Sequence, residues 1–182
     1  MALSYILSDM GKSAYIIYPD EKFPEYLREF ATCEVYSAEQ GEAILTDGIM
    51  TVDVAAPNQL RGNYDRYKDS IDLMLDHHNS GAAMADNLIV PSASAVGEIV
   101  FDIAEELVAR GRIKELRREA ADALFLSITS DTGCFKYQNV TARTHESAAE
   151  LYKIGVDAAE INRIMFDTKS KSRVEMEKRV LD

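Results

Sequence analysis

Ile71-Asp72-Leu73-Met74-Leu75-Asp76-His77-His78 is the stretch on which the fold turns. Its apolar run has the length and composition of a buried strand, and it stops abruptly on one acid and two imidazoles. Ala14–Tyr18 before Pro19, Cys33–Tyr36, Ile49–Asp53 and Leu88–Val90 before Pro91 also read as short strands, and Glu25–Phe30 gives a brief helix between the first two. Strand and helix alternate, which predicts an α/β domain with a parallel central sheet of about five strands and helices on both faces. Asp53 and Asp76 then stand at strand ends. Open α/β sheets bind ligands beyond the carboxyl ends of their strands, so both acids are site candidates.

The second half is helical. Met1–Met10 already has helical apolar spacing closed by Gly11, and looks like the last turns of a helix. Ser94 is placed to cap a helix running to about Arg110, with Val96, Ile99, Val100, Ile103 and Leu107 on one face and Gly111 at its end. A second helix is expected from Ile113 or Glu115 to about Ile128, a third from a Thr144 cap to Ile154, and a fourth from Asp157, with Glu160 three residues on. Lys169 to Asp182 is charged and only weakly periodic, as a linker helix would be.

Composition narrows the function. With 20 Lys and Arg against 31 Asp and Glu, the net charge of −11 is the opposite of the footprint of a charge-driven nucleic-acid binder. A phosphate ligand therefore needs local positive charge. Cys33 and Cys134 lie far apart with no Cys-x-x-Cys motif, no apolar run approaches the length of a membrane span, and the N-terminus lacks the pattern of a signal peptide. A cytoplasmic, membrane-free protein is expected.

The chain has three histidines, two of them behind Asp76. As a bare tripeptide, Asp76-His77-His78 is weak evidence. Consecutive residues of an extended backbone point in different directions, so one imidazole could bind metal while the other faces a substrate. Asp53, after Thr51-Val52, and Asp131, in Thr129-Ser130-Asp131-Thr132-Gly133, supply further carboxylates. Imidazole with several carboxylates makes a hard, oxygen-rich site that suits Mn²⁺ or Mg²⁺. Two such ions about 3.5–4 Å apart can activate water and neutralise both oxygens of a phosphoryl displacement. They would also supply the positive field that an acidic protein lacks.

Asp76-His77-His78 resembles the signature of the DHH phosphoesterases. Ser130-Asp131-Thr132-Gly133-Cys134-Phe135-Lys136-Tyr137, followed by Thr141, Thr144, Ala148-Ala149, Leu151 and Gly155, is similar to a later block of that family; Thr51-Val52-Asp53 resembles its second motif, and Ser92-Ala93-Ser94 through Glu98 a helix start. The resemblance covers essentially the whole chain and is strongest to the oligoribonucleotide-trimming enzymes that also dephosphorylate 3′-phosphoadenosine 5′-phosphate, with RecJ-type exonucleases more distant. It implies a Rossmann-like domain, Mn²⁺-dependent (or Mg²⁺-dependent) phosphoester hydrolysis, and a nucleotide or short-oligonucleotide substrate. Carried over residue by residue, it makes Asp53, His77 and Asp131 metal ligands, places His78 at the scissile phosphate or its leaving oxygen, and gives Asp76 the task of orienting the histidine pair.

Family members open with a strand ending in a His-x-x-Pro-Asp-x-Asp motif, and nothing in Met1 to Asp20 matches it. The expectation is therefore a catalytic domain over residues 1–168 without its opening strand, then a linker helix starting at 169–182 and leading to an absent C-terminal domain. The rival expectations are a pyrophosphatase or cyclic-dinucleotide phosphodiesterase with the same ligands, or a truncated relative that only binds nucleotide or metal. An open sheet edge would favour a homodimer. His145 reads as a solvated surface residue, Arg117-Arg118 as a helix face salt-bridged to Glu115 and Glu119, and Lys136 and Tyr137 as loop residues within reach of a substrate.

Overall fold

In the computed structural model, residues 1–19, 23–41, 44–79 and 83–181 are described; Asp20 and Asp182 lie outside them. The elements in chain order are α1 (Ala2–Asp9), β1 (Ile16–Tyr18), α2 (Glu25–Arg28), β2 (Val35–Ser37), α3 (Ala38–Gly41), β3 (Ile49–Val52), α4 (Gly62–Tyr67), β4 (Ile71–Asp76), β5 (Asp86–Ile89), α5 (Val96–Ala109), α6 (Arg118–Asp131), α7 (Ala142–Ile154), α8 (Ala158–Asn162) and α9 (Lys171–Leu181). A 3₁₀ turn at Pro57–Leu60 and a π turn at Arg163–Asp167 complete them.

Every strand pair is parallel, as the alternating pattern requires. Among the described residues the strands do not form one sheet of five, however. They divide into a three-stranded sheet in the order β3-β4-β5 and a separate pair β1-β2. The reason is local: β1 and β2 are three residues each, only half-buried, and hydrogen-bond to each other. Tyr5 of α1 ties them to the rest, its hydroxyl donating to the Phe30 carbonyl and accepting from the Thr32 N–H.

β4 is central because it is the strand with apolar cover at its end. Met74, Leu75 and Asp76 are buried in succession, a run rather than an alternation, as expected of an inner parallel strand. Leu75 joins the main core, in which Val96, Ile99, Val100, Phe101 and Ala104 of α5 meet Ala120, Ala121, Leu124, Phe125 and Ile128 of α6. Gly97 lets these helices touch: a Cβ there would sit 2.9 Å from the Ser127 Cβ and 3.0 Å from the Leu124 carbonyl oxygen. β3 and β5 are the outer strands, and Met50, Val52 and Leu88 on them are exposed.

Three helix boundaries differ from the expected ones. α5 begins at Val96 with Ala95 as its N-cap, because the Ser94 hydroxyl is taken up by the Asn139 carbonyl and by Thr144. α7 is capped by Thr141, whose side chain accepts from the Thr144 N–H while Thr144 reaches back to the Thr141 N–H. α6 starts at Arg118 and runs on to Asp131, past the expected end near Ile128, which makes that acid its last residue. Asp157 does cap α8 through the Glu160 N–H. Arg117 and Arg118 are paired, but with Asp9 of α1 and with Asp122, not with the neighbouring glutamates.

Candidate metal centre

The parallel register brings two acids side by side. Val52 pairs with Leu75, and the Asp53 N–H extends the ladder to the Leu75 carbonyl, so Asp53 and Asp76 end adjacent strands at the same level. Asp53 leaves the strand with φ 60°, a left-handed turn that Asp tolerates better than most residues. Asp53, Asp76, His77 and His78 each offer a ligand atom, and these atoms all lie within 4.8 Å of one another.

Asp76 is fully buried and organises the histidines. One of its oxygens accepts from the His77 N–H at 2.8 Å, from the His78 N–H at 3.3 Å and from the His78 Nδ1 at 2.7 Å, while Oδ2 has no hydrogen-bond partner. Burial pushes its carboxyl up, but the bonds from the His78 ring and the two backbone N–H groups outweigh that and hold it below the usual value. The same bond to Asp76 raises His78, against a smaller opposing effect of burial. His78 is thus held as a half-exposed ring that favours its charged form.

His77 is held differently. Its Nδ1 lies 3.1 Å from the Ala93 carbonyl oxygen, which can only accept, so Nδ1 carries the proton in that bond. The neutral ring then keeps a bare lone pair on Nε2. That atom stands 3.5 Å from the Asp53 Oδ1 and 3.6 Å from the Asp131 Oδ2, and the latter oxygen is buried without a hydrogen-bond partner. Three acceptors around one space leave their mutual repulsion unanswered unless a cation or proton enters. Burial first, then the Asp53 charge, push the Asp131 carboxyl up to about 6, against the pull of His77 and His78. The donor set, one imidazole nitrogen with carboxylate oxygens, fits a hard divalent cation.

Of the expected ligands, Asp53 and Asp131 each approach the His77 Nε2, while the group whose ligand atoms all lie within 4.8 Å of one another joins Asp53 and His77 to Asp76 and His78 and leaves Asp131 outside. Sequence reasoning missed Asn139. Its side-chain N–H₂ donates to the Ser94 carbonyl at 2.9 Å and the Asp131 carbonyl at 3.1 Å, clasping the loop that anchors His77 to the end of α6. Between Asp131 and Asn139 the chain takes three consecutive left-handed residues, Gly133 (φ 55°), Cys134 (φ 60°) and Phe135 (φ 59°). For the last two this costs roughly 1 kcal/mol or more each, the kind of strain that gathers at functional sites. Tyr137 folds back over Gly133, where a Cβ would come within 2.3 Å of its ring. His145 is exposed, as expected, with its ring stacked on Phe135.

No family model matches the chain. Curated proteins do. The bifunctional oligoribonuclease and PAP phosphatase NrnA of Bacillus subtilis (strain 168) is 29% identical over 137 residues, 74% of this chain and 43% of that protein. The protein of the same name from Thermus thermophilus is 27% identical over 176 residues, 96% of this chain and 51% of that protein. The chain thus spans about half the length of these relatives or less. Among solved structures, an exopolyphosphatase-related protein from Bacteroides fragilis superposes with a TM-score of 0.84 over 99% of this chain and 55% of its own, at 24% identity, a likeness of fold. In sequence the chain is thus similar to the NrnA proteins and in fold to an exopolyphosphatase-related protein, which is consistent with the resemblance to the DHH phosphoesterases.

Proposed function

We propose that the chain carries a divalent-metal-dependent phosphoesterase site in which Asp53, His77 and Asp131 hold Mn²⁺, or Mg²⁺ by the same chemistry, and that its substrates are short oligonucleotides or nucleotides such as 3′-phosphoadenosine 5′-phosphate. The observation that carries this is the His77 ring: Nδ1 is committed to a carbonyl, while Nε2 faces two carboxylate oxygens at 3.5 and 3.6 Å. The sequence similarity to oligoribonuclease and PAP phosphatase proteins supports the substrate class.

When bound, the cation supplies Lewis-acid charge for a phosphoryl oxygen and acidifies a water. The chain's own residues do the rest. Asp53 and Asp131 balance the cation's charge. His78, whose protonated form is favoured by its Nδ1 bond to Asp76, can meet a phosphoryl oxygen or give a proton from its other ring nitrogen to the leaving oxygen. Asp76, buried and bonded to both histidine backbone N–H groups and to the His78 Nδ1, orients the His78 ring and the backbone that carries His77.

Calorimetry with Mn²⁺ on the full chain should count one ion at this site, and His77→Ala should lose it; a wild-type chain that takes up no Mn²⁺ rejects the assignment. Hydrolysis of 3′-phosphoadenosine 5′-phosphate, a short oligoribonucleotide, pyrophosphate and a cyclic dinucleotide, compared with and without Mn²⁺, separates the substrate readings.

Residues 1–168 form the catalytic unit in this proposal and 169–182 the onset of a linking helix, in keeping with an α9 that buries no side chain. The two free cysteines, Cys33 and Cys134, fit the reducing setting of the cytoplasm, and no helix among the described residues is long and apolar enough to cross a membrane. The outer strands β3 and β5, with Met50, Val52 and Leu88 exposed, suit pairing with a second copy. Sedimentation as a monomer at all concentrations would discard that last element.

A further inference from the structure

Glu98 is buried, with 2% of its surface exposed, and no cation is paired with it among the described residues. Its Oε2 accepts from the Ser94 N–H at 3.2 Å, and its Oε1 has no hydrogen-bond partner. One backbone bond is a weak offset for a buried carboxylate if its only task is to cap α5.

The geometry points to a second task. The Ser94 N–H and the Ala93 carbonyl belong to one peptide unit. That carbonyl is the acceptor for the His77 Nδ1 at 3.1 Å. Glu98, the Ala93–Ser94 peptide and His77 therefore form a continuous chain of hydrogen bonds, with a carboxylate at one end and a bare imidazole nitrogen at the other.

We infer that Glu98 is a positioning residue for His77, acting through the Ala93–Ser94 peptide. Accepting from the amide N–H shifts electron density onto the carbonyl oxygen, which then holds the Nδ1 proton more firmly; linked hydrogen bonds strengthen one another by roughly 10–30% per bond. Two effects follow for the ring. It keeps the tautomer that leaves Nε2 bare, and Nε2 becomes a better electron-pair donor. A carboxylate bonded directly to a metal-binding histidine works this way. Here a peptide group stands between them. The inference builds on the proposed metal site, but its first readout needs no metal.

The test compares the full wild-type chain with Glu98→Gln, which keeps an acceptor for the Ser94 N–H and removes the charge. In metal-free protein, ¹⁵N shifts of the His77 ring should show the Nδ1–H tautomer in the wild type and a mixture in the variant. The Mn²⁺ dissociation constant should rise about tenfold, the lower end of what loss of such an outer partner costs. The thermal midpoint should move little, since the cap survives. Unchanged His77 shifts overturn the inference and leave Glu98 as a cap alone. If the wild type binds no Mn²⁺, the metal-site proposal falls, and the ring shifts still decide the role of Glu98. Should the variant not fold, the Ser94 amide proton of the wild type decides: a resonance far downfield supports the link to a carboxylate, and an ordinary one overturns it.

Discussion

Asp131 carries the clearest pH signature of any single residue. Its carboxyl is pushed up to about 6 from an ordinary 3.8, so the metal-free folded chain binds that proton more tightly than the unfolded chain does. Stability from this group is present at low pH and is lost as pH rises from about 4 to about 6. Asp76, held below its ordinary value, contributes the other way: its stabilisation is present above that value and is lost as pH falls through the folded one. His78, raised, stabilises below 6.5 and ceases to as pH rises through its folded value. Thermal melts in chelator should show Asp131→Asn flattening the decline between pH about 4 and about 6. A wild-type slope in that variant refutes the assignment. Mn²⁺ affinity should climb over the same range, because the ligand must first lose its proton. At this scale the site was largely legible. Asp53, His77 and Asp131 were each singled out from strand ends and motif likeness, whereas Asn139 was not, because an amide that bonds two backbone carbonyls leaves no mark in residue spacing.

At the level of elements, the helix contact at Gly97 gives a sharp expectation. Gly97→Ala drives a Cβ to 3.0 Å from the Leu124 carbonyl, a backbone atom that cannot step aside, and should cost about 1–3 kcal/mol by denaturant unfolding. Thr141→Ala removes the α7 cap and should cost about 1 kcal/mol. Thr144→Ala should cost at least as much, since Thr144 is fully buried and bonds both Thr141 and Ser94. Equal stability of wild type and Thr144→Ala would contradict the network. The helices themselves were readable from apolar spacing, but their caps were not. Thr141 and Thr144 sit three residues apart and bond reciprocally, so pattern alone cannot say which is the cap; Ser94, a good cap by type, is claimed by Asn139 and Thr144 from across the fold. The parallel α/β layering was legible from the alternation, but the strand count of the sheet was not, since strand pattern does not reveal which strands share a ladder.

On the scale of the molecule, the elements divide by how firmly they are held. α5, α6 and β4 form the core, α1 is pinned to it by Arg117 through Asp9 and the Tyr5 carbonyl, and α9 buries nothing. Ending the chain at Thr168 should therefore leave the thermal midpoint within about 2 °C, where loss of a buried helix would lower it far more. The far end of α6 bears on the whole fold. Because the helix runs on to Asp131, that carboxylate sits where the aligned peptide dipoles leave their negative pole, beside Asp53. Folding without metal thus gathers like charge at the worst end of a helix, and at the proposed site a divalent counter-ion would relieve it. Mn²⁺ at about a hundred times its dissociation constant should add about 2.7 kcal/mol and raise the melting temperature by roughly 5–10 °C, with a chelator returning it.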